Sequence, residues 1–342
     1  MYPDINSSKP HRYYLISYPR TASNLLLKIL AVESQPGFSS GGYDGGYFFM
    51  PVDGILCERH LRSRCVSDWT SDERREVQES FQTCFENQLR WVESAQSQGH
   101  SIFVKEHTTF FADPIVRTRL QFGADAVNEP NWTVRYAGGS THSTLNTSVL
   151  PDEFLLTWLP TFLIRHPAVA FPSYYRTIIE REGKELAAAD NFASLVITVE
   201  WSRALYDFYL QHRDALPCSP AQRSEWPIVL DADDVINHPE IISLYCAKVG
   251  MDPQTLRFSW DQADPEKLAK MHPAQRAMRT TIYGSTGIVK GKSLQELNIL
   301  DEASKWRSEF GDIAAQHIEK LVRQAMPDYE YLRARRLRAT PA

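Results

Sequence analysis

Three short segments of the 342-residue chain combine residue types that do chemistry. The first is Ser17-Tyr18-Pro19-Arg20-Thr21-Ala22-Ser23-Asn24, between a strand-like run and a helix-like one. Small residues at such a turn let the backbone approach a ligand, and the free amides at a helix start favour an anion. Arg20 adds a permanent positive charge, and Thr21 and Ser23 add hydroxyls. A plain capped helix with an exposed arginine is the competing account. The second segment, Phe103-Val104-Lys105-Glu106-His107, sets a cation and an imidazole two residues apart. They share a side if the strand continues. A histidine beside an anion site can serve as general base; a hydrogen-bonded histidine at a strand end is the alternative. The third is Leu163-Ile164-Arg165-His166-Pro167, with Ser173 two turns into the following helix. Arg165 and Ser173 could hold a second anion, or be a surface arginine and an ordinary helix serine.

These segments need a frame. Tyr13 to Tyr18, Ser101 to Lys105, Thr161 to Arg165 and Pro227 to Leu230 are short, apolar and rich in β-branched or aromatic residues, so they read as buried strands. Helices are predicted over Ser23 to Glu33, Thr70 to Ser97, Ala168 to Glu182, Asn191 to Arg213, Pro239 to Val249 and Asp301 to Ala325. Thr70 and Glu73 have capping-box spacing. Gly37 to Met50 and Asp125 to Pro151 read as loops, and about 260–300 as a loop-rich lid. Short strands alternating with helices imply an α/β fold, a central parallel sheet flanked by helices on both faces. Residues 1–342 are taken as one elaborated domain, its ligands beyond the C-terminal strand ends.

Composition narrows the partners. With 37 Lys plus Arg against 42 Asp plus Glu, the net charge is −5, which argues against nucleic acid or an anionic membrane as partner. The chain has no apolar run long enough to span a bilayer and no signal-peptide core. Its five scattered cysteines predict a reducing, cytoplasmic setting. Cys57-x-x-His60 with Cys65 lacks a fourth ligand, so no metal is expected. Gly287-x-x-x-Gly291-Lys292-Ser293 falls one residue short of an ATP-binding loop. The tail from Arg333 to Arg338 reads as a solvated helix end. Tyr43, Tyr47, Phe48 and Phe49 line an acceptor pocket or pack beneath a loop.

In order and spacing, the three segments resemble the sulfotransferases that use 3′-phosphoadenosine-5′-phosphosulfate (PAPS). That family carries a P-K-S-G-T-type loop for the 5′-phosphosulfate. It has a K-x-H strand end whose histidine is the base, and R-x-P…S with the eight-residue step from Arg165 to Ser173, binding the 3′-phosphate. Ile228 to Gly250 is similar to the family's strand–E-D-L–P–helix–G stretch. The resemblance runs patchily from Tyr13 to Gly291. It departs at Arg20, where lysine is usual, at Ala22, where glycine is usual, and at Leu25, where an aromatic is common. Trp260 lies where the family places an adenine-contacting segment, with a core aromatic as the alternative. Lys290 and Gly291 stand nearest to its later R-K-G-x-x-G segment.

The resemblance implies a P-loop-like sulfotransferase moving a sulfuryl group from PAPS to a hydroxyl of a small-molecule acceptor, releasing the bisphosphate PAP. His107 would be the base, with Arg20 and Lys105 stabilising the departing phosphate. Arg20, Thr21, Ala22, Ser23, Asn24, Arg165, Ser173, Trp260, Lys290 and Gly291 would bind the nucleotide. Sulfation followed by elimination or cyclisation, and a non-catalytic nucleotide-binding protein on the same fold, are the alternatives. Oligomeric state is left open, a dimer among the options.

Overall fold

The computed structural model describes residues 10–184, 196–264, 266, 268, 281–289 and 297–339. Its centre is β1 (Arg12–Ser17), buried along nearly its whole length. The neighbours of β1 are β3 (Ser101–His107) and β4 (Leu159–Ile164). Beyond them lie β2 (Phe38–Ser39) and β5 (Ile228–Asp231), giving the order β2-β3-β1-β4-β5 with every pairing parallel. Strands buried on both faces read as continuous apolar runs.

Two features of this sheet position the chemistry. Ser17 pairs with His107 on one side and with Leu163 on the other, so three strand ends finish side by side. β1 sends the chain towards the β2 edge, whereas β4 sends it towards β5. Neighbouring strands whose connections diverge leave a crevice between their C-terminal ends.

The helices pack around this sheet. α1 (Ser23–Leu30) leaves β1 and α2 (Met50–Glu58) follows β2. α3 (Ser71–Ser97) lies against β3 and starts at the expected capping box of Thr70 and Glu73. α4 (Pro114–Phe122) and the short α5 (Asp152–Leu155) bracket the irregular stretch before β4. α6 (Pro167–Glu182) leaves β4, and α7 (Glu200–Gln211) returns onto it. After β5 come α8 (Ala232–Asn237), α9 (Pro239–Val249), α10 (Ile299–Phe310) and α11 (Asp312–Ala334), the last running against α6, β4 and β5.

Some expectations are corrected. β3 continues to His107 rather than stopping at Lys105. Phe38–Ser39 adds an edge strand inside the expected loop, and Ala232–Asn237 adds a helix. The expected C-terminal helix is two, because Gly311 at φ 85° breaks it. The basic tail is not merely solvated: Arg336 pairs with Asp234 at 2.7 Å, and the Leu337 amide bonds the Val229 carbonyl. Part of the expected 191–213 helix and much of the expected lid fall outside the described residues. Within the lid, Ser259 bridges Gly287 in antiparallel fashion.

Candidate active site

The loop after β1 is shaped by backbone conformation rather than by capping side chains. Ala22 is the N-cap of α1 at φ 62°, and its side chain makes no cap bond. Thr21 turns its hydroxyl back onto the Tyr18 carbonyl at 2.9 Å. The capping account of Thr21 and Ser23 is therefore set aside, and the first amides of α1 keep the helix-start character that suits an anion. Arg20 at φ 70° and Ala22 both sit in the left-handed region, where a side chain costs about 1–2 kcal/mol. This is the physical meaning of the missing glycine: Ala22 adopts a backbone that glycine takes without strain.

Arg20 and Arg165 meet above the crevice. The Arg165 guanidinium donates to the Arg20 carbonyl at 3.1 Å, and Arg20 Nε donates to Ser173 Oγ at 2.9 Å. The Arg165 amide is held by the Tyr18 hydroxyl at 2.9 Å, which fixes the β4 end to the β1 loop. Burial lowers the pKa of Arg20, and the charges of Arg165 and then Arg176 lower it further. Arg20 and Arg165 are two cations in close contact, with Asp233 and Asp231 the carboxylates that act on Arg165 and Glu180 on Arg20. The structure thus joins Arg165 and Ser173 through Arg20.

Lys105 and His107 point to one face of β3, onto Tyr47. Lys105 is 0% exposed; its Nζ lies 4.1 Å from the centre of the Tyr47 ring and donates to Asn24 Oδ1 at 2.5 Å, which ties β3 to the start of α1. Burial pulls the Lys105 pKa down to about 7, so it is not the permanent cation that Arg20 is. Glu106 turns to the other face. Its carboxylate accepts from the Phe49 and His107 amides at 3.3 Å each, and burial pushes its pKa up to about 8.

His107 is engaged at both nitrogens. Ser17 Oγ lies 2.9 Å from Nδ1 and 3.4 Å from the Glu106 carbonyl; with its hydroxyl donating to that carbonyl, Nδ1 carries the imidazole proton. Nε2 is then the bare nitrogen, and the Tyr47 hydroxyl donates to it at 2.9 Å. Burial, and then the charge of Lys105, push the imidazole well below the usual histidine range. His107 is therefore neutral at physiological pH, in the tautomer a base requires.

Sequence reasoning missed Ser17 as the group beside His107, and gave Tyr47 only a share in an acceptor pocket lined by four aromatics, not a contact with His107. The cluster splits: Phe49 is fully buried core, Phe48 packs on Trp91 at 5.6 Å, and Tyr43 stands 37% exposed. Trp260 is half-buried rather than core. It lines a cleft of about 340 Å³ with Asn24, Lys28, Asp44, Arg257 and Tyr283, and Lys28 Nζ sits 5.1 Å from its ring centre. Lys290 and Gly291 lie outside the described residues. Among the described residues no group of three or more His, Cys, Asp or Glu could hold a metal, and no helix is long and apolar enough to cross a membrane.

No family model matches the chain. It is 70% identical over 336 residues, 98% of its length and 99% of the relative's, to the sulfotransferase ppzF of Metarhizium majus (strain ARSEF 297). It is 69% identical over 331 residues, 97% of each chain, to the protein of the same name in Metarhizium rileyi (strain RCEF 4871). The solved sulfotransferase domain of the Synechococcus PCC 7002 olefin synthase covers 91% of the chain, at 13% identity and a TM-score of 0.37; the match spans 99% of that domain. Identity near 70% over almost the whole length of two sulfotransferases leaves one assignment for a parallel sheet with cations gathered at its strand ends: the chain belongs to the sulfotransferase family.

Proposed function

We propose that the protein transfers a sulfuryl group from PAPS to a hydroxyl of a small-molecule acceptor in the cytoplasm, with His107 as general base. The observation that carries the reading is the convergence of Arg20, Lys105, Arg165, Ser173 and a neutral His107 on the start of one helix. That donor set fits a bisphosphate nucleotide: cations and hydroxyls dominate it, and a helix start adds amides. When bound, PAPS supplies a sulfuryl group on a phosphate that leaves readily. Amides of Thr21, Ala22, Ser23 and Asn24 hold the 5′-phosphosulfate. Arg165 and Ser173 hold the 3′-phosphate, and the cleft of Trp260 and Lys28 receives the adenine. His107 removes the acceptor proton, while Arg20 and Lys105 face the charge that gathers on the departing phosphate.

The test is incubation with sulfur-labelled PAPS and a panel of phenols, alcohols and amines. Labelled, sulfated product is the expected outcome. A desulfated product would favour elimination or cyclisation, and full PAP affinity with no turnover would favour a binding protein.

Two binding predictions follow from the donor set. Arg165→Ala should weaken PAP by about 1.5–3 kcal/mol, the range for hydrogen bonds to charged groups. It should barely change the affinity of a nucleotide lacking the 3′-phosphate. Titration calorimetry giving equal losses for both would remove Arg165 from that phosphate.

The second concerns Lys105, whose pKa of about 7 a bound anion raises. Binding then takes up a proton, so the Lys105 contribution to PAP affinity is full below pH 7 and declines as pH rises through 7 towards the bound-state value. At pH 8 the phosphates are already deprotonated, and calorimetry in buffers of different ionisation enthalpy should read close to one proton taken up. The uptake should vanish in Lys105→Met. Equal uptake in both proteins would place the titrating group elsewhere.

A further inference from the structure

The reading of His107 as base leaves a geometric problem, because the nitrogen that should meet the acceptor is already hydrogen-bonded to Tyr47. Either Tyr47 leaves when the acceptor arrives, or it stays and carries the proton.

The seating of Tyr47 decides between these. Its amide donates to the Lys105 carbonyl at 2.8 Å, while the Lys105 amide donates to the Gly45 carbonyl at 2.9 Å. This docks residues 45–47 along β3 like an extra strand. Gly46 approaches so closely that a Cβ there would lie 1.7 Å from the Lys105 oxygen. The Tyr47 backbone is held at φ 56°, a conformation that persists in a non-glycine residue only where the surroundings impose it. The ring is 8% exposed, boxed by Lys105 Nζ, by the His107 ring at 4.8 Å and by Phe110 at 5.5 Å. Its hydroxyl also bonds Ser23, in the first turn of α1. The phenol oxygen therefore stands between the base and the anion loop, fixed by backbone and ring contacts alike. A ring held this way has no evident exit, and its hydroxyl both donates and accepts.

We propose that Tyr47 is a catalytic proton relay between the acceptor hydroxyl and His107, an inference that rests on the sulfotransferase reading above. As the acceptor oxygen bonds to sulfur, its proton passes to Tyr47 Oη and the phenolic proton of Tyr47 passes to His107 Nε2. The sulfur–oxygen bond to the departing phosphate breaks, and its electron pair stays on that phosphate. One proton is gained by the imidazole, and the tyrosine is regenerated within the step. The groups facing the relay are Lys105 and His107 from β3 and Ser23 from α1, with Glu106 and then Arg20 close enough for their charges to act on the phenol, in opposite directions.

Tyr47→Phe keeps the ring over Lys105 and removes only the relay atom. Across a series of ring-substituted phenols, turnover should fall by about 10–100-fold for the least acidic acceptor and by less than about threefold for 4-nitrophenol, since an acidic acceptor needs little help. PAP affinity should stay within about twofold. A second readout needs no turnover. In 15N NMR of histidine-labelled protein, His107 Nε2 should be the unprotonated nitrogen, and its resonance should move in Tyr47→Phe as the donated hydrogen bond is lost. Equal or faster turnover on all phenols would make Tyr47 a plug and overturn the relay, as would an unmoved Nε2 resonance. Those results leave the base reading standing, which fails only if His107→Ala keeps its turnover.

Discussion

His107→Ala is expected to abolish sulfuryl transfer while leaving PAP affinity within about twofold, a change under about 0.5 kcal/mol. A hydroxyl is a weak nucleophile near neutral pH, and a positioned base contributes about 10²–10⁴ in rate. The site meets the requirements on three counts. The imidazole lies at the end of β3, level with Ser17 and Leu163, where three strands finish side by side. Ser17 sets its tautomer. Burial and the charge of Lys105 keep it neutral. The sign of the pH dependence follows. The base works when unprotonated, and its pKa is depressed, so turnover should hold through pH 6.5 and fall only well below it. An ordinary exposed histidine would put that limb near 6.5. On the alkaline side Lys105 and the buried Glu106 carboxyl both titrate; the part that belongs to Lys105 should shift upwards when PAPS saturates the enzyme and be missing in Lys105→Met. Rates measured from pH 4.5 to 9 for the parent protein and for Lys105→Met would separate the two limbs. A His107→Ala variant with full turnover would refute the base assignment and direct the search to Lys105, or to acceptors acidic enough to need no base.

The strand ends were legible because chemistry and pattern coincide there. Tyr13 to Tyr18 is an apolar run with Arg20 just beyond it, Thr161 to Arg165 is one that ends on a cation, and a parallel sheet puts such ends on one edge. The contacts between them were not legible. That Ser17 stands opposite His107 depends on register, which no local spacing encodes. Tyr47 reaches His107 because a glycine-bearing loop docks on β3 through backbone hydrogen bonds, with a non-glycine residue at positive φ. A sequence pattern carries no sign of either.

The misreadings have separate physical causes. Thr21 and Ser23 have the side chains of caps, yet Ala22 holds the cap position through its backbone angle alone. The one expected C-terminal helix ignored Gly311, although a glycine after Phe310 and before an acidic first-turn residue, Asp312, carries a stop and a start together. The tail arginines were read as solvated because their partners, Asp231 and Asp234, lie about a hundred residues earlier in the chain.

Arg20→Met should lower turnover by about 10²–10³, the scale for losing one preorganised donor aimed at developing charge, with a smaller loss in nucleotide affinity. The unequal split follows from what the substitution leaves behind. The bond from Arg165 is made to the Arg20 backbone carbonyl, so it survives the change of side chain. In the proposed reading the α1 amides, Arg165 and Ser173 would then still hold the ground-state nucleotide. What disappears is the guanidinium anchored on Ser173 Oγ, which keeps its charge at any working pH. Lys105 cannot replace it fully, because it is fully buried on β3, tied to Asn24 and seated over the Tyr47 ring rather than on the loop that Arg20 occupies. Methionine keeps an apolar stem like that of arginine and stops short of the guanidinium, so the loop, already strained at residue 20, has no new bulk to accommodate. Single-turnover kinetics alongside PAP titrations would measure the two losses separately. If turnover stays and only the Michaelis constant rises, Arg20 binds ground and transition states equally, and the charge that catalyses must come from Lys105 or Arg165 instead.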